Sequence, residues 1–101
     1  MKFGLRSETI DKICSVFLKY PAIEQVIIYG SRAKGNYRAG SDIDLTLKGE
    51  NVTDAIRSLV WLDIDDLNTP YLFDISVFHL LRTDDLIEHI NRVGQVFYQK
   101  P

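Results

Sequence analysis

Apolar positions along this chain change period several times, and each change marks an element. Ile10, Ile13, Cys14 and Phe17 recur at three- and four-residue intervals and stop before Pro21, which predicts a helix over residues 8–19 with Ser7 as its N-cap. "QVIIYG" is a β-branched and aromatic run without polar alternation, the pattern of a central strand covered on both faces, over residues 25–29 and ended by Gly30. "SRAKGNY" then fits a short helix opening at Gly30 or Ser31, and "RAGS" a loop.

The period becomes two in "DIDLTLK": Ile43, Leu45 and Leu47 take one face, and Asp42, Asp44, Thr46 and Lys48 the other. Thr53 caps a helical stripe of Ile56, Leu59, Val60 and Leu67, which Asn68 and Pro70 stop. "YLFDISVF" reads as a third strand, with Asp74 and Ser76 facing away from Phe73, Ile75 and Val77. Thr83 caps a last helix through Leu86, Ile87, Ile90 and Val93, which Gly94 interrupts or ends before "QVFYQKP". This order implies the α/β (α+β) class: a small mixed sheet with helices packed on its apolar side and Asp42, Asp44 and Asp74 on the other. Without repeats or a linker, residues 1–101 are expected to form a single domain.

Composition narrows the function. The 46% apolar and 26% charged fractions suit a folded globular protein, and no apolar run is long enough to span a bilayer, so no membrane partner is expected. A net charge of -2 implies no general polyanion-binding surface and argues against nucleic acid, although Arg32, Lys34 and Arg38 cluster locally. The lone Cys14 cannot form an intrachain disulfide, and "MKFGLRSETI" lacks a signal peptide's apolar core; both point to the cytoplasm. Cys14 itself lies within an apolar stripe, so it is read as packing rather than as a nucleophile.

The acids are the strongest chemical signal. Asp42 and Asp44, two apart on a strand, share a face with Cα atoms about 6.5–7 Å apart. Asp74 joins them if the second and third strands are neighbours. Such hard oxygen ligands suit Mg²⁺, bound through one or two carboxylates, water and substrate phosphate. Two such ions about 3.5–4 Å apart activate an attacking oxygen and neutralise a leaving pyrophosphate. Gly30 then lets backbone approach a phosphate, Ser31 donates to it, and Arg32 or Lys34 offsets its charge; Arg32, next to Ser31, is favoured.

"GSRAKG", "SDIDL" and "FDIS" together resemble the Gly-Ser motif, paired acids and later-strand acid of the minimal nucleotidyltransferases (MNT) of the DNA polymerase beta-like superfamily, over nearly the whole chain. The resemblance implies a polymerase beta-like core in which Asp42, Asp44 and Asp74 are catalytic and hold two Mg²⁺ ions. It also implies that Gly30 and Ser31 bind the β- and γ-phosphates, with ATP as the usual donor. Small members with this spacing resemble the antitoxin half of HEPN/MNT toxin–antitoxin pairs, so the implied activity is transfer of AMP to a tyrosine of a HEPN-type toxin. "INRVGQVFY" resembles that family's C-terminal helix and tail.

Two further functions fit the same residues: a nucleotide-binding antitoxin acting by complex formation alone, and transfer to a small molecule or RNA end with a homo-oligomer or second subunit completing the acceptor site. Other motifs fail on residue identity. Asn36 and Tyr37 stand where a P-loop needs Lys and Ser or Thr. Leu47 and Thr53 stand where an EF-hand needs Gly and Glu. Asp63 and Asp65 read as a solvated helix end, His89 as a helix-surface residue, and most of the aromatics as core.

Overall fold

A computed structural model describes all 101 residues. In chain order the elements are α1 (Ser7–Leu18), β1 (Gln25–Tyr29), α2 (Ser31–Lys34), β2 (Ile43–Lys48), α3 (Asp54–Asp65), β3 (Phe73–Val77), α4 (Asp84–Val93) and β4 (Gln95–Gln99), with a 3₁₀ turn at Phe78–Leu80. No helix is long and apolar enough to cross a membrane.

The sheet order is β3-β2-β1-β4. β1 is antiparallel to β2 and β4, whereas β2 and β3 are parallel, because α3 makes the long crossover that a parallel pair requires. The mixed sheet expected from the pattern is therefore present. One face carries Val26, Ile28, Ile43, Leu45, Leu47, Ile75 and Val77 and is sealed by Ile13, Val16 and Phe17 of α1 and Val60 and Ile64 of α3. α4 differs from the other two long helices: it lies on the opposite face, where Ile90 packs on Ile27 and Tyr29. Gly94 permits this approach, since a Cβ there would stand 2.6 Å from Ile27 Cγ2.

Boundaries shift for physical reasons. Thr53 caps α3, its Oγ1 accepting from Ile56 N–H at 3.2 Å. Ser7 is instead the first helical residue behind Arg6, and Thr83 precedes α4 without a side-chain cap bond. Leu59, expected on the buried stripe, is 51% exposed, because Ile56, Val60 and Ile64 set the inward face. "QVFYQ", expected as a tail, is a strand. A register shift between Val26 and Ile27 leaves Phe97 as the extra residue, and the bulge turns both Phe97 and Tyr98 inward. That removes the alternation by which a strand is read.

Phe97 stacks on Phe3 at 5.9 Å and meets the edge of Phe17 at 6.4 Å. Its carbonyl accepts from Cys14 Sγ at 3.8 Å. Burial, with Asp11 adding repulsion, pushes the Cys14 thiol up to about 11, which leaves it protonated and unreactive. A second link joins α1 to α3, where Tyr20 donates to Asp63 and Lys19 pairs with the same carboxylate at 3.1 Å.

Phe97→Ala should cost about 3–5 kcal/mol in urea denaturation, whereas Val96→Ala, at a side chain 48% exposed, should cost less than about 1 kcal/mol. Equal small losses would mean that β4 does not pack on the core.

Candidate functional site

The sheet's polar face is built by register. Asp44 lies opposite Asp74 in the parallel β2–β3 pair and opposite Tyr29 in the antiparallel β1–β2 pair. One step along the same face, Ser76 Oγ donates to Thr46 Oγ1 at 2.8 Å, which confirms the shared orientation of these even-numbered positions. Asp42 precedes β2 and is exposed, as is Asp74; Asp44 is half-buried between them. The three acids are thus gathered at the end of the sheet where β1 stops and β2 and β3 begin.

Their charges act on one another. Burial, then the neighbouring charges of Asp74 and Asp42, hold the Asp44 carboxyl above its ordinary value, and His89 pulls partly the other way. Tyr29 is raised chiefly by burial, with Ser76 opposing and the charges of Asp74 and Asp44 adding to it. No three acid, histidine or cysteine side chains form a preformed metal cage. The arrangement fits Mg²⁺ in that ion's usual manner, through one or two carboxylates completed by water and substrate oxygen. The unneutralised repulsion at Asp44 is what a cation would relieve.

Gly30 belongs to this cluster. Its φ of +74° and the 2.4 Å that would separate an added Cβ from Asp44 Oδ2 both require glycine. The strand therefore turns into α2 with backbone pressed against the acid. Ser31 opens α2 beside it, and Lys34 is exposed at its end.

Arg32 is placed otherwise than expected. Only 3% exposed, it donates from Nε and Nη2 to the Ser41 carbonyl at 3.1 and 2.9 Å, and from Nη1 to the Phe3 carbonyl at 2.9 Å. Its guanidinium lies 5.3 Å from the Tyr37 ring and 5.0 Å from the Tyr71 ring. It ties Phe3 to the loop before Asp42, and the donors so used point to backbone carbonyls. Lys34 is the free cation of the pair.

Three residues join the site without having been singled out. Tyr29 was read only as the end of a strand, and Gln95 of β4 steadies α2 by donating to the Ala33 carbonyl at 2.7 Å. His89, expected on the helix surface, meets Tyr29 edge-on at 6.2 Å and acts on Asp44. The signal for His89 was present, since Leu86, His89 and Val93 fall at three- and four-residue spacing on α4's inward stripe. The second acid pair splits as helical geometry demands: Asp63 faces α1, while Asp65 faces a groove of about 420 Å³ that also touches Asp42 and Asp74. A larger concavity of about 580 Å³ lies at the N-terminus among Lys2, Arg6 and Glu8, but no residue of the acid cluster lines it.

Two outcomes follow for the chain without divalent ions. Asp44's raised value means that its ionisation opposes folding: the penalty is absent below its ordinary 3.8 and complete once pH exceeds the folded-state value. Asp63, lowered by Tyr20 and then Lys19, behaves oppositely, stabilising above 3.8 and losing that contribution as pH falls through its own value. Asp44→Asn should therefore melt a few degrees above wild type at neutral pH, with the gap closing as pH falls toward 3.8; equal melting at all pH values would contradict it. Arg32→Ala should cost about 2–4 kcal/mol in chemical denaturation with no nucleotide present, because it strips buried carbonyls of a charged donor.

A family model described as Polymerase beta, Nucleotidyltransferase matches residues 11–101. Among solved structures, the fold is similar to a chain of a toxin–antitoxin complex crystallised with AMP-PNP, at TM-score 0.70 and 15% identity over 95% of this chain and 75% of that one. It is similar to a chain of the MntA–HepT toxin–antitoxin, at TM-score 0.69 and 12% identity over 94% and 74%. A third likeness is to a chain of the complex of tri-AMPylated Shewanella oneidensis HEPN toxin with MNT antitoxin, at TM-score 0.69 and 12% identity over 95% and 74%. No curated protein matches. Identities this low speak for fold alone, but the family match spans the whole sheet and every acid of the cluster, and the chain belongs to the polymerase beta nucleotidyltransferase family.

Proposed function

We propose that this chain transfers AMP from ATP to a hydroxyl of a partner protein, a tyrosine of a HEPN-type toxin, and so acts as its antitoxin in the cytoplasm. The observation that carries the reading is the strand register that sets Asp44 beside Asp74, with Gly30 pressed against the former. Likeness of fold to toxin–antitoxin chains, one complex holding AMP-PNP and another an AMPylated HEPN toxin, supports the choice of donor and partner.

Asp42 and Asp44 would hold Mg²⁺, two ions in all with Asp74 as the further ligand; when bound, the metal offsets the charge of the triphosphate and of the departing pyrophosphate. Gly30 admits the phosphates close to the backbone, where Ser31 and the free N–H groups opening α2 donate to them. Lys34 adds the outward-facing charge. Asp74 accepts the proton of the acceptor hydroxyl as its oxygen bonds to the α-phosphorus and the bond to the β-phosphate oxygen breaks. Tyr29 and His89 border the cluster on the α4 side.

Co-expression with a HEPN partner and intact-mass measurement of that partner tests the reading. Wild type should add one or more adenylate masses, and Asp42→Asn, Asp44→Asn should add none. Asp74→Asn should slow transfer by about 10²–10⁴-fold while the fold persists. A stable complex with no added mass for wild type would replace the transferase with a binding antitoxin.

A further inference from the structure

Sheet order separates the two sides of the acid cluster. Gly30 and α2 adjoin Asp44 from β1, whereas Asp74 lies on β3, at the sheet's open edge. Beyond Asp74 runs the groove of about 420 Å³, a volume within the range of about 300–1,000 Å³ typical of binding clefts. Its walls are Trp61, Tyr71, Leu72 and Phe73, and Ile64 forms a buried floor.

Scattered exposed apolar residues are ordinary, but here two large ones share a single groove: Leu72 is 73% exposed and Trp61 41%. The groove is also held in shape. Arg32 backs the Tyr71 ring, and the Leu72 carbonyl accepts from Ile43 N–H at 2.9 Å, anchoring the segment to β2. Every charged residue lining it is acidic: Asp42, Asp65 and Asp74. A phosphodiester chain laid there would face three carboxylates, whereas cationic side chains would be drawn to them.

We infer that this groove docks the acceptor, a polypeptide segment whose hydroxyl-bearing side chain lies along Trp61 and Leu72 while a flanking cation pairs with Asp65. The assignment of that occupant as acceptor rests on the transferase reading above; the docking does not. Asp74 lines the same groove, so a side chain seated on the apolar wall brings its hydroxyl near that carboxylate.

Trp61 is the chain's one tryptophan and lines the groove, so its emission is a probe of occupancy that Leu72 and Asp65 variants tie to this groove. The full chain is titrated with two blocked peptides, one carrying tyrosine between leucine and arginine residues and the other with glutamate replacing each arginine, and with a short oligouridylate. The arginine peptide should change Trp61 emission saturably and bind about tenfold more tightly than the glutamate peptide. Asp65→Lys should invert that preference, and Leu72→Ser should weaken both peptides by about tenfold. No response to either peptide, equal binding of the two, an unchanged preference in Asp65→Lys, or competition by oligouridylate overturns the inference. AMP transfer from Mg-ATP to the peptide, read by mass, is scored separately. Docking without transfer supports the groove and counts against the transferase, and transfer without an emission change overturns the groove alone.

Discussion

Across the β2–β3 ladder one carboxylate faces another, and like charges directly opposite on adjacent strands are destabilising. Asp44 cannot relax away from Asp74, because Ile43 and Leu45 on either side of it are fully buried and a slip of one residue would expose them. The core face therefore imposes the repulsion on the polar face. Other features of the molecule then follow from accommodating it. Gly30 gives Asp44 room on one side, Tyr29 and His89 border it on the α4 side, and Asp42 and Asp74 remain open to water, where their charge is screened.

The elements that the sequence revealed were those whose pattern reports burial directly. Ile43, Leu45 and Leu47 alternate because one face of β2 is dry, and the same period placed Asp44 and Asp74 on a common face before any pairing was known. The pattern failed where local geometry breaks the period. Phe97 and Tyr98 point the same way because a bulge separates them, and no two-residue rule recognises such a strand. Arg32 shows a different limit. Adjacency to Ser31 gave no sign of burial, yet a four-residue helix turns successive side chains by about 100°, and that rotation directs Arg32 into the protein. His89 was missed for the converse reason: its polarity suggested solvent, although its spacing placed it on the inward stripe of α4.

Arg32 also explains how a short loop can carry an exposed catalytic candidate. The loop between α2 and β2 has little apolar content, and its side chains from Lys34 to Gly40 are exposed. Two donors on the Ser41 carbonyl and one on Phe3 fix the loop's last residues, immediately before Asp42. A planar guanidinium suits this task, since it reaches two carbonyls while stacking between Tyr37 and Tyr71. One buried charge thus links the position of Asp42 to the shape of the groove wall at Tyr71.

Compensation of the acid cluster falls to what binds it. Arg32 is committed to backbone carbonyls, Lys48 lies over the Phe78 ring, and Lys34 is exposed at the end of α2. Desolvation and like charge both disfavour the ionised form of Asp44, and a cation bound there would offset both. By linkage a bound cation stabilises the fold, because it binds the folded arrangement of acids and not the unfolded chain. The repulsion that the buried face imposes on Asp44 is therefore what a bound cation would relieve.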